Sequence, residues 1–314
     1  MTSAHIHPAP AGAGTAGPVV TVAVLLVAAA YLLAASRLRR RGDRWPWPRD
    51  VSFAAGSAAI LWAVLGALPG GPFTVHSARH LTVAMAAPLL LVLARPLTLA
   101  LRALPPGRAR RALLTVLHVR PARWLLFPPL AALLDVGGLW ALYRTPLFAA
   151  ADRPVTHALV QVHTLAAGLL FTFAVCQLDP VRHRWGTALR GATLLAAGAA
   201  HAVLAKGLYA TPPPGTAFTT ADLRTGAQLM YYGGDLVEVG LAVTLAVRWY
   251  VAGSRPAGRP RAVPGGHDRR GAGERDPSAL ARVPATHGGR PAGSGPRPAG
   301  FTDRAPEGTP GPWP

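Results

Sequence analysis

Seven long apolar blocks constrain what this chain can become more than any other feature of it; they fall at residues 18–36, 51–68, 77–101, 125–144, 155–177, 191–211 and 227–250. A helix needs about 20 residues to cross the roughly 30 Å of a bilayer's hydrocarbon, and every block is near that length. Even the shortest, "VSFAAGSAAILWAVLGAL", carries no charge. In hydrocarbon the backbone must satisfy its own hydrogen bonds, and blocks this long do so as helices. The expected fold is therefore all-α: a polytopic membrane bundle of seven transmembrane helices over residues 18–251, placed in the cell membrane. Pro88, the Pro128–Pro129 pair and Gly233–Gly234 lie inside blocks, and the expectation is that they kink helices without ending them.

Charge supplies the orientation. The net charge is +19 although only 14% of the residues are charged. Arg37, Arg39, Arg40, Arg41, Arg44 and Arg49 follow the first block; Arg102, Arg108, Arg110, Arg111, Arg120 and Arg123 follow the third; Arg182, Arg184 and Arg190 follow the fifth. Basic loops stay cytoplasmic. The alternate loops, 69–76, 145–154 and 212–226, are nearly free of basic residues, so residues 1–17 form an extracytoplasmic segment. That segment has no basic residue, which argues for a retained first helix over a cleaved signal peptide. Residues 252–314 are rich in Gly, Pro and Arg and lack apolar periodicity. They read as a disordered, basic cytoplasmic tail, either lying against anionic lipid or simply solvated. Arginines that flank apolar blocks are not the covering of a nucleic-acid-binding surface. The single cysteine, Cys176, excludes an internal disulfide framework and a cysteine-based zinc site.

With this orientation, each polar residue inside a block acquires a depth from the 1.5 Å helical rise. His76 and His80, four residues apart in "HSARH", share one helix face at the outer mouth. His157 lies at the same rim and His163 about 12 Å deep. His201 is near the midplane, and Lys206 is about 7 Å below the outer surface. Met230 is in the first turns of the seventh helix, with Asp235 and Glu238 about 13 and 17 Å down. Asp135 reaches a similar depth. Charges at such depth cost at least about 2.5–3.5 kcal/mol unless they face the bundle interior and find partners. The implied arrangement is a polar cavity opening outward. Lys206 is the counter-charge expected for Asp235 and Glu238, either as a structural ion pair or as part of a functional site. Imidazole nitrogen suits copper, zinc, iron and nickel, and methionine sulfur adds a preference for cuprous copper. The candidate metal-binding residues are His76, His80, His157, His163, His201, Met230 (with Met85 as the other thioether), Asp235 and Glu238. Single histidines in such helices more often bond a backbone carbonyl. His5 and His7 form only a short terminal pair.

Three stretches carry a resemblance: "HSARHLTVAMAAPLLLVLARPLTLALRALP", "HALVQVHTLAAGLLFTFAVCQLDP" and "AQLMYYGGDLVEVGLAVTLAVRWY". They resemble the multi-span CtaG family of caa-type cytochrome c oxidase assembly factors, over roughly residues 50–250. The resemblance implies an integral membrane protein that matures haem-copper oxidase by handling copper at the outer side, with an oxidase subunit as client and no enzymatic activity. His76, His80 and His163 match the family's positions best, with His157 and His201 after them. Ser77 stands where many members have Met, and Tyr143 where a further histidine is expected. Two other readings stay open: a b-haem electron carrier with two axial histidines, and a proton-coupled transporter using Lys206, Asp235 and Glu238 as relay groups. No hydrolase or phosphate-binding motif is visible.

Overall fold

In the computed structural model, which describes residues 16–151, 153–180 and 184–254, every apolar block is helical and no strand occurs among the described residues. His5, His7, most of residues 1–17, His183 and the tail beyond residue 254 lie outside the described residues. The helices are α1 (Ala16–Arg40), α2 (Trp47–Leu65), α3 (Pro72–Leu93), α4 (Pro96–Ala103), α5 (Arg108–His118), α6 (Arg120–Leu125), α7 (128–144), α8 (Leu147–Ala150), α9 (Pro154–Cys176), α10 (Thr187–Ala210) and α11 (Thr220–Gly253). Five of them, α1, α3, α9, α10 and α11, are long and apolar enough to cross a membrane. The blocks at 51–68 and 125–144 fold as the shorter α2 and the interrupted α7. The bundle is apolar on the outside as well as the inside: Leu236, Val239, Val243 and Val247 line one exposed stripe of α11, and such a stripe suits lipid better than water.

Prolines set the boundaries, in ways that correct two expectations. The block at 77–101 is not one helix. It stops at Leu93, Arg95 takes a left-handed conformation (φ 54°) and a new helix begins at Pro96, because the residue before proline is disfavoured in the α region. Pro128 and Pro129 likewise start α7, with Phe127 extended before them, instead of kinking a longer helix. Pro88 behaves as expected and stays inside α3. A proline has no N–H and its ring presses on the carbonyl four residues earlier, here that of Ala84, and the turns at Leu81–Ala86 are widened to a π-helix. Gly168 on α9 makes room for that carbonyl; a Cβ there would overlap Ala84 O. A second π segment, Leu133–Gly137, lies within α7.

Helix ends are closed by residues from other helices. Asp222 in the first turn of α11 accepts hydrogen bonds from the Phe73 and Thr74 N–H groups (2.8 and 3.0 Å) and the Thr74 hydroxyl (2.7 Å), so it caps α3 across the bundle. Asp179 accepts from the Thr98 N–H (2.7 Å) at the start of α4. Arg190 donates to Val175 O (3.1 Å) and Arg248 to Gln177 O, satisfying carbonyls at the C-terminus of α9. Tyr31 of α1 stacks on Phe53 of α2 (3.9 Å) and donates to Ala94 O (2.9 Å) past the end of α3.

Replacing Asp222 leaves three donors of α3 without their acceptor. Asp222→Ala is expected to lower unfolding stability by about 1–2 kcal/mol, seen as an earlier denaturant midpoint in detergent; an unchanged midpoint would contradict the capping role.

Candidate functional site

Helices α10 and α11 pack antiparallel, and glycines on each admit a polar side chain of the other. Glu238 of α11 fills the space beside Gly198, and His201 of α10 fills the space beside Gly234; a Cβ at either glycine would overlap the carboxylate or the imidazole. Small residues that let helices approach closely are the usual means of packing in lipid. The result is a close pair between buried His201 and partly buried Glu238, with Nδ1 and Oε1 3.5 Å apart. A carboxylate facing Nδ1 favours the tautomer with hydrogen on that nitrogen, which leaves Nε2 as a free lone-pair donor. His201 Nε2 is buried and has no hydrogen-bond partner.

The same holds for His80. It ends the regular part of α3 before the π segment, is 9% exposed, and its Nε2 is buried without a partner. The His80 and His201 ring centroids are 6.3 Å apart. Two imidazoles sharing one ion, at metal–nitrogen distances of about 2.0–2.1 Å, have centroids roughly 6 Å apart. Both histidines line a chamber of about 30 Å³, with Met85, Asp135, Thr172, Gly198 and Glu238 in its wall. Such a volume holds a water or two or an ion. A larger cavity of about 340 Å³ adjoins it between α7 and α9, lined by Gly138, Leu142, Leu159, His163 and others. His80 and Asp135 belong to both walls. Among the described residues, no group of three or more His, Cys, Asp or Glu is arranged to hold a metal.

The remaining candidates lie elsewhere. His76 sits one turn before His80 on α3, edge-on to Tyr143 (5.7 Å) and Phe148 (4.7 Å), and its Nε2 is also unpartnered. His157 is exposed on α9 and lines neither cavity. His163 Nε2 is 3.2 Å from Leu134 O, the interhelical bond to a backbone carbonyl. Met230 is wholly buried among Phe73, Tyr143, Leu204 and Leu208, so Met85 is the thioether at the chamber. Asp235, half-buried on α11, lines neither cavity. The expected pairing of Lys206 with Asp235 and Glu238 is not made: its Nζ stands 5.2 Å over the Tyr231 ring. The antiparallel register that sets 198 against 238 and 201 against 234 also sets 206 against 231, about one turn before Asp235 and two turns before Glu238 on α11. Asp135 was visible only as a residue of matching depth; its place in the chamber wall comes from the π segment at Leu133–Gly137.

Residues 29–252 match the family model described as cytochrome c oxidase caa3 assembly factor. The chain is also similar to a Mycobacterium bovis protein and a Mycobacterium tuberculosis protein, each described as uncharacterized, at 37% identity over half of this chain and 25% of theirs. A Mycobacterium leprae protein, described in the same way, is 29% identical over 70% of this chain and 37% of its own length. The chain thus covers well under half of these relatives. No solved structure matches it.

Gly198→Ala and Gly234→Ala should each cost about 1–3 kcal/mol through overpacking and displace the Glu238 or His201 side chain. Gly191→Ala, where the nearest contact is Leu245 at 3.8 Å, should be neutral or stabilising. Thermal unfolding of the three variants checks this, and equal behaviour would contradict the seating.

Proposed function

The chain belongs to the cytochrome c oxidase caa3 assembly factor family, and we propose that it is a multi-pass protein of the cell membrane that holds copper for delivery to a haem-copper oxidase subunit. In this reading α2 and α7 also span the bilayer, which makes seven spans, and the arginine distribution puts the amino terminus outside. The ion is cargo, and the role is carriage without catalysis.

One observation carries the proposal: His80 and His201, on different helices, line one chamber with their rings 6.3 Å apart, and each has a buried Nε2 without a hydrogen-bond partner. A buried polar atom without a partner costs about 1–3 kcal/mol, and a bound cation would relieve two of them at once. Cuprous copper accepts few ligands and favours soft donors, so His80 and His201 form the ligand pair with the Met85 thioether beside them. Glu238 orients His201 and offsets the ion's charge. His76 and His157, nearer the outer end of the bundle, lie on the path by which an ion would arrive. The chamber of about 30 Å³ is far smaller than a porphyrin, which favours an ion over a bis-histidine haem. The cation–π contact of Lys206, away from both acids, does not favour the relay of a proton-coupled transporter.

Purified protein in detergent, incubated with cuprous ion under reducing conditions, should retain stoichiometric copper. His80→Ala and His201→Ala should each abolish retention, and Glu238→Gln should weaken it about 10- to 100-fold. Oxidase from cells carrying the His80→Ala variant should be copper-deficient. Wild-type copper content in both histidine variants would overturn the proposal.

A further inference from the structure

The imidazole of His163 crosses from α9 to α7 and meets the main chain where it is least regular. Its Nε2 is 3.2 Å from Leu134 O, inside the π segment Leu133–Gly137, and donates to that carbonyl in its Nε2–H tautomer. Widened turns leave carbonyls poorly matched to the helical ladder and are found mostly at functional sites. The next residue, Asp135, lies in the wall shared by the chamber and the larger cavity and has no hydrogen bond or ion pair among the described residues. Gly138, one turn on, leaves room for the ring: a Cβ there would overlap His163 Nε2.

We propose that His163 is a positioning residue and not an ion ligand: by holding the Leu134 carbonyl it fixes the π turn, and the turn fixes the Asp135 carboxyl at the partition between the two cavities. Its Nε2 is taken by the carbonyl, and the ring lines only the larger cavity and not the chamber of His80 and His201. Asp135 thereby joins Glu238 as a second carboxyl facing the chamber, and Gly138 is the residue that lets His163 reach its carbonyl. This assignment rests on the copper reading only for the purpose of the carboxyl, not for its placement.

Two measurements test it. In metal-free protein, a bilayer-soluble carbodiimide labels membrane carboxyls, and mass spectrometry compares the Asp135 peptide with the Glu238 peptide. His163→Leu and Gly138→Ala should change this ratio several-fold, while His163→Gln, whose amide can donate to the same carbonyl, should restore it toward wild type. An unchanged ratio in His163→Leu, or no recovery in His163→Gln, overturns the proposal. In copper-loaded protein, X-ray absorption should count the same imidazole donors in wild type and His163→Leu, and Asp135→Asn should remove the effect of His163→Leu on copper affinity. Loss of an imidazole donor, or additive losses in the double variant, also overturns it. Failure of the wild type to bind copper would refute the copper reading while leaving the labelling result to judge the placement of Asp135.

Discussion

The contact on which the site depends is the reciprocal seating of two polar side chains in two glycine gaps. Glu238 against Gly198 and His201 against Gly234 fix the register of α10 on α11 to within a residue, because a shift of one position puts a carboxylate or an imidazole against a side chain. Burying an ionisable group in hydrocarbon is costly; burying it in a gap shaped for it, 3.5 Å from a partner, offsets that cost. The register then leaves His201 Nε2 free and aims the chamber at α3. It also sets Lys206 against Tyr231 and away from the acids.

The other half of the chamber depends on irregular backbone. Pro88 strains α3 at the Ala84 carbonyl, the turns before it widen to a π-helix, and Gly168 of α9 accepts the displaced carbonyl. Asp222 of α11 holds the opposite end of α3 by its first N–H groups. His80 lies between these two fixed points. The interrupted α7 repeats the device, with His163 in place of the glycine gap. Both irregular stretches border the same chamber, so the departures from ideal helix in α3 and α7 come together at one place in the bundle.

Much of this was legible in the sequence. Helical content follows from block length and apolarity, and depth sets His201 and Glu238 at nearly one level, but it leaves His80 at the outer mouth, apart from them. Boundaries were less legible: whether Pro88, Pro96 or Pro128 kinks or ends a helix depends on the residue before it and on a partner for the freed carbonyl. Depth also cannot show azimuth. It groups Asp235 with Glu238, yet only Glu238 lines the chamber. The glycines were the overlooked signal. Gly198 three residues before His201, and Gly234 four before Glu238, place each small residue about one turn from a polar one, as interlocking requires.

The claim that most needs direct testing is that α3 and α10 present residues 80 and 201 to each other inside the bundle. In a Cys176→Ala background, the double variant His80→Cys/His201→Cys should be joined within one chain by a short thiol–thiol crosslinker, while His157→Cys/His201→Cys should not. Failure of the first pair to join, together with ready modification of its thiols by a maleimide confined to the lipid phase, would contradict a shared chamber.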